Sequence, residues 1–202
     1  MAENLVHIEK EKRKTQFKLI VVGDPMIGKT SLIQRYVKAQ IPNNYLPTVG
    51  SSICKQPVKL NYNGTLLDIS LMIWDIAGQE KFNLLHKAYF EGAKGAIIGF
   101  DLTNAESFAN VRKWRESLAK NNLANIPVVL VGNKSDVAEK ICIGQEQVEA
   151  MQKELNIPDY YWTSAKNGAN VNEMFYCMAY RIYAKLEPTF RNMKDAEPVN
   201  GQ

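Results

Sequence analysis

No apolar run in the sequence approaches the roughly 20 residues that span a bilayer. The stretch from Met1 to Thr15 also lacks the apolar segment of a signal peptide. Cysteine is scarce: Cys54, Cys142 and Cys177 stand far apart, with no Cys-x-x-Cys pair. That excludes a zinc ribbon or a thioredoxin motif, and an odd count suits a reducing compartment. Histidine is scarcer still, His7 and His86 only, which argues against a histidine-rich metal site. Charge of neither sign dominates. The 25 Lys and Arg against 21 Asp and Glu leave +4, too mild a balance to point to nucleic acid. These absences predict a soluble, cytoplasmic chain.

What is present is ordinary globular material: 202 residues, 46% hydrophobic and 23% charged, enough for one domain with a core that needs no staples. Residues 1–15 are polar and mixed in charge and read as a flexible arm. Residues 188–202 are polar, hold two prolines and read as a flexible tail. Between them strand and helix signals alternate. Phe17 to Val22, Gly95 to Phe100 and Pro127 to Val131 are short apolar runs, each read as a buried strand. Ile53 to Leu60 and Leu66 to Trp74 read as a hairpin around Asn63-Gly64, with Pro57 forcing the first strand to a sheet edge. Thr103 to Glu106 resembles a capping box ahead of a helix through Phe108, Val111 and Leu118. Val148, Met151 and Leu155 mark another helix, Tyr160 to Thr163 a last strand, and Val171 to Leu186 a final helix. This order predicts a mostly parallel sheet covered on both faces, with ligands at the carboxyl ends of its strands.

Three motifs fall at those ends. Gly23-Asp24-Pro25-Met26-Ile27-Gly28-Lys29-Thr30 fits Gly-x4-Gly-Lys-Ser/Thr, after a strand and opening a helix. Backbone amides there curl around a phosphate chain, and the helix N-terminus adds positive partial charge. Lys29 is expected to reach the β- and γ-phosphates and the Thr30 hydroxyl to bind Mg²⁺. Asn133-Lys134-Ser135-Asp136 follows the strand at Val128. The Asp136 carboxylate can accept from guanine N1–H and N2–H₂. Adenine would set a lone pair against it, a penalty on the order of several kcal/mol. The Lys134 stem can cover the ring, and Thr163-Ser164-Ala165-Lys166 can offer amides to guanine O6. Trp74-Asp75-Ile76-Ala77-Gly78-Gln79-Glu80 follows the hairpin. Asp75 is placed to hold Mg²⁺ through water, the Gly78 amide to contact the γ-phosphate, and Gln79 to orient the attacking water. Thr48, in a long loop, is a second candidate Mg²⁺ ligand.

With these motifs, and with Tyr89-Phe90-Glu91-Gly92-Ala93 and Phe100-Asp101-Leu102-Thr103, residues 16–187 resemble the Ras superfamily of small GTPases, and within it the Rab family. The resemblance implies an α/β P-loop fold, with a six-stranded, mostly parallel sheet, one antiparallel edge strand, and five helices on both faces. It implies a GTP/GDP switch that hydrolyses GTP slowly, with loops near Ile41–Ser51 and Ile76–Tyr89. It places Ser31 and Tyr45 among the nucleotide-binding residues. Exchange factors, GTPase-activating proteins and effectors are the implied partners, and a role in membrane trafficking follows.

Some positions depart from that pattern. Pro25 stands where relatives carry glycine or a small residue, and it removes an amide from the loop. Ile41 and Ile53 stand where relatives carry phenylalanine. The sequence ends Pro198-Val199-Asn200-Gly201-Gln202 without a prenylation cysteine, and Ala2 excludes N-myristoylation. No direct lipid anchor is therefore expected, membrane contact would be indirect, and the chain is expected to be a monomer. Pro25 also leaves room for a second reading, a GTP-loaded scaffold with negligible hydrolysis. Asp136 argues against a third, a P-loop ATPase or small-molecule kinase. Arg35, Arg112 and Arg115 read as plain surface residues.

Overall fold

The apolar run at Phe17 lies in β1 (Arg13–Gly23). Successive strand residues point to opposite faces, and here both sets are buried. Phe17, Leu19 and Val21 enter one core, and Ile20 and Val22 the other. The computed structural model describes residues 13–38, 48, 50–62, 65–77, 86–187 and 196–198. After β1 come α1 (Lys29–Lys38), β2 (Ser51–Tyr62), β3 (Thr65–Ile76), α2 (His86–Phe90), β4 (Gly95–Asp101), α3 (Ala105–Ala109) and α4 (Val111–Lys120). They are followed by β5 (Val128–Asn133), α5 (Gln145–Leu155), β6 (Asp159–Trp162), α6 (Val171–Leu186) and β7 (Ala196–Pro198).

The sheet order is β6-β5-β4-β1-β3-β2-β7. β3, β1, β4, β5 and β6 run parallel to one another. β2 runs antiparallel to β3, so the six expected strands and their one reversed member are present. Helices α1 and α6 pack on one face, and α2 to α5 contribute Phe90, Phe108, Trp114 and Met151 to the core on the other. Phe90, Phe100 and Phe175 are fully buried, each contributing about 1.5–3 kcal/mol of apolar transfer. Among the described residues no helix is long and apolar enough to cross a membrane.

Four details differ from the sequence reading. β1 begins at Arg13, inside the stretch read as an arm. Within the stretch read as a tail, Ala196–Pro198 forms β7 against Leu60–Tyr62, because an edge strand offers unpaired amides and carbonyls to any extended neighbour. Pro57 lies beyond that short pairing, on the stretch of β2 that has only β3 beside it. The cap of α3 is Asn104, not Thr103: its Oδ1 accepts from the amides of Glu106 at 3.0 Å and Ser107 at 3.1 Å. Thr103 is already engaged, donating through amide and hydroxyl to Asp101 Oδ1. The helix expected across Phe108 to Leu118 is interrupted at Asn110, which divides α3 from α4.

β1 sits between β3 and β4, where the direction of winding changes. The carboxyl ends of β1, β3, β5 and β6 therefore deliver all the motif loops to one rim.

Candidate functional site

Close approach explains both glycines of the phosphate loop. Gly23 has φ +142°, and a Cβ there would lie 2.3 Å from the Gly99 carbonyl oxygen. Gly28 has φ +95°, and its Cβ would meet Asn133 Nδ2 at 2.4 Å. Only glycine combines that backbone with that clearance. Ile27 plugs into the core while Met26 and Pro25 stay exposed. Lys29 opens α1 and is buried, its Nζ donating at 2.8 Å to the carbonyl oxygens of Gly23 and Asp24. Burial pushes its ammonium down to about 8, against the upward pull of Asp75 and Asp24. A buried cation held by neutral carbonyls is a strong attractor for an incoming polyanion. Ser31 follows in α1 and is half-buried.

Beside it three oxygens converge. Thr30 Oγ1 lies 2.7 Å from Thr48 Oγ1 and donates to Asp75 Oδ2 at 2.5 Å. Asp75 is buried, and its Oδ1 has no hydrogen-bond partner. Such an orphan costs about 1–3 kcal/mol. Burial raises the Asp75 carboxyl, while the Thr30 hydrogen bond and Lys29 pull it down. Two hydroxyls and an incompletely satisfied carboxylate form a hard, all-oxygen donor set, and that set fits Mg²⁺.

The base-side loops are tied to the phosphate loop by one buried side chain. Asn133 Nδ2 donates to the Ile27 carbonyl at 2.8 Å, and its Oδ1 accepts from the Ala165 amide at 3.1 Å. Asp136 Oδ1 accepts from Ser164 Oγ at 2.6 Å, with Lys166 Nζ 3.9 Å from its other oxygen. Lys134 takes φ +68° and pairs its ammonium with Asp101 Oδ2 at 2.5 Å. Burial would raise the Asp101 carboxyl, but Lys134 and the two Thr103 donors outweigh it and hold it below the usual carboxylate range.

The expected residues Gly23 to Ser31, Thr48, Asp75, Asn133, Lys134, Asp136, Ser164, Ala165 and Lys166 thus gather along one rim. Tyr45, Gly78 and Gln79 lie outside the described residues, as do Ile41, Phe82 and most of both switch loops. Near the second loop, Trp74 and Tyr89 lie with ring centroids 6.5 Å apart. Lys18 lies 3.8 Å over the Trp74 ring, and Ile53 is half exposed.

Sequence reasoning missed two kinds of contact. Arg35, read as plain surface, donates through Nε to the Ala165 carbonyl at 2.7 Å and through Nη2 to the Lys166 carbonyl. The Asp24 side chain is engaged away from Lys29: it accepts from Asn110 Nδ2 at 2.7 Å and Trp114 Nε1 at 2.8 Å. Arg112 pairs with Glu154 at 2.6 Å on the surface, and Arg115 donates to the Ala124 carbonyl at 2.9 Å. No local pattern signals the contacts of Arg35 and Asp24, because their partners lie 86 to 131 residues along the chain.

Comparison with known proteins bears on the same region. The model of the Ras family matches residues 18–184. The Ras-related protein Rab-13 of Rattus norvegicus is 36% identical over 169 residues, covering 84% of this chain and 81% of that protein. The GTP-binding protein YPTM2 of Zea mays is 35% identical over 192 residues, covering 91% of this chain and 92% of that protein.

Proposed function

This chain is a Rab-like member of the Ras family, a switch that binds guanine nucleotide and hydrolyses GTP to GDP, and we propose how its residues divide that work. One observation carries the proposal: Asn133 bonds both the phosphate loop and the Ala165 amide. Phosphate and base ends of a nucleotide would therefore meet one continuous surface.

Lys29 neutralises the β- and γ-phosphate oxygens, exchanging its carbonyl partners for charged ones. The amides from Met26 through Ser31 supply the rest of the cradle, and Pro25 supplies none. Thr30, Thr48 and Asp75 would hold Mg²⁺, which when bound supplies positive charge at the phosphate oxygens. Gln79 orients the attacking water and the Gly78 amide contacts the γ-phosphate. Asp136 accepts from the guanine N1–H and N2–H₂, while Ser164 orients its other side through the 2.6 Å hydrogen bond. Ala165 and Lys166 face O6, Lys134 covers the ring, and Tyr45 closes over the nucleotide from the first switch loop. Departure of the γ-phosphate removes the contacts of Thr48 and Gly78, and both loops relax.

Among the described side chains, Arg35, Arg112, Arg115 and Arg181 are each engaged elsewhere. Intrinsic turnover is therefore slow and is accelerated by an arginine from a GTPase-activating protein. Exchange factors and effectors complete the partner set, the protein acts as a monomer, and membrane trafficking is the process it serves. The scaffold reading is not favoured by the relatives.

Competition tests the base assignment. Labelled GDP bound to the protein is challenged with GTP or ATP. GTP displaces it at stoichiometric excess and ATP fails at a thousandfold excess. Displacement by both at similar concentration overturns the role given to Asp136.

A further inference from the structure

The phosphate loop is gripped from two sides. From β5, Asn133 holds the Ile27 carbonyl. From the opposite side, the break between α3 and α4 holds Asp24. Asn110 Nδ2 donates to Asp24 Oδ2 at 2.7 Å, and Trp114 Nε1 donates to Asp24 Oδ1 at 2.8 Å. Both carboxylate oxygens are thus used, and the donors lie 86 and 90 residues away.

We infer that Asn110 and Trp114 form a clamp on Asp24 that positions the phosphate loop and sets how long a guanine nucleotide stays bound. This rests on the nucleotide-binding reading given above.

Three observations support it. Asn110 is the N-terminal flanking residue of α4, a place where an asparagine side chain normally caps the helix. Here it makes no capping hydrogen bond, and its amide goes to Asp24 instead. Trp114 is nearly buried in the core formed with Phe100 and Phe108, so its indole N–H is held in place and needs a partner. The Asp24 main chain then links the clamp to the site, because its carbonyl accepts from Lys29 Nζ at 2.8 Å. Pro25 strengthens the dependence. It withdraws one amide from the cradle and disfavours helical backbone at Asp24. Movement of Asp24 would shift a carbonyl that orients Lys29. Asn110 and Trp114 are accordingly positioning residues that act through Asp24.

The test uses the full chain loaded with fluorescent GDP and Mg²⁺, with release followed after excess unlabelled GDP. Asp24→Asn removes the negative charge that both donors meet, and Asn110→Ala removes one donor. Each should release GDP roughly tenfold faster, the scale of losing a hydrogen bond to a charged acceptor. The exchanged pair Asp24→Asn with Asn110→Asp restores an amide–carboxylate pair between the two positions and should return release to within about twofold of wild type. The Trp114 indole N–H resonance should shift in Asp24→Asn, where an amide oxygen replaces its carboxylate acceptor, and stay in place in Asn110→Ala, where that carboxylate remains, a pattern that general loosening would not produce. Wild-type release rates in both single variants, or fast release in a folded exchanged pair, overturn the clamp. Failure of wild type to hold GDP at all instead overturns the nucleotide-binding reading beneath it.

Discussion

Arg35 Nε donates to the carbonyl oxygen of Ala165 at 2.7 Å across 130 residues of sequence. The contact joins the helix that begins at Lys29 to the loop proposed to face the base. With Nη2 on the next carbonyl, that of Lys166, the guanidinium braces two successive peptides. A planar fork does this and an ammonium does not. Arg35→Ala should therefore release GDP about tenfold faster, from the loss of hydrogen bonds to a charged donor. Arg35→Lys should restore less than half of that on a logarithmic scale. Stopped-flow release of fluorescent GDP measures both, and wild-type rates in Arg35→Ala would remove the brace from the account.

A second prediction concerns Thr30. Its hydroxyl meets both Thr48 and Asp75, so Thr30→Asn should weaken Mg²⁺-dependent GTP binding more than GDP binding. Titration of each nucleotide with and without Mg²⁺ gives the ratio. An unchanged preference for GTP would count against Thr30 as a ligand.

Gly28 should tolerate no side chain. Gly28→Ala places a Cβ 2.4 Å from Asn133 Nδ2 at φ +95°, which strains the backbone and pushes on the bond to Ile27. The expected cost is about 2 kcal/mol, or a Tm about 4–8 °C lower for a domain of this size. Calorimetry reads this directly, and a Tm unchanged from wild type would mean the loop has another conformation.

Acid should reveal the Asp101–Lys134 pair. Because the folded-state carboxyl sits below its ordinary value of 3.8, its contribution is fully present above that value. It is lost as pH falls toward the folded pKa. Asp101→Asn should thus be less stable than wild type at about pH 6, and the gap should narrow at about pH 3. Urea unfolding at both values tests it. A gap that stays constant would assign the effect to packing.

The contrast between what the sequence reveals and what it hides is physical. Gly23 to Thr30 and Asn133 to Asp136 are legible because each is a short run whose chemistry is complete in itself and whose place follows from the strand before it. The strands of the sheet are legible because β4 and β5 are buried on both faces and read as unbroken apolar runs. Arg35, Asn110 and Trp114 are illegible because their meaning depends on partners 86 to 131 residues away. A tryptophan at helical spacing announces core, and only the fold shows where its N–H goes. Asn104 displaced Thr103 as a cap for a similar reason: Thr103 had been claimed by Asp101. β7 was hidden because three residues in a polar stretch carry no strand signal of their own. Tyr45, Gly78 and Gln79 rest on the sequence motifs, as they lie outside the described residues.

Single-turnover hydrolysis tests the central claim most directly. Purified protein is loaded with GTP, hydrolysis is started with Mg²⁺, and the bound nucleotide is resolved by chromatography over time, for wild type and Gln79→Leu side by side. The account predicts slow conversion to bound GDP in wild type and persistence of GTP in the variant. Equal rates in the two proteins, or GTP that persists in both, would contradict it.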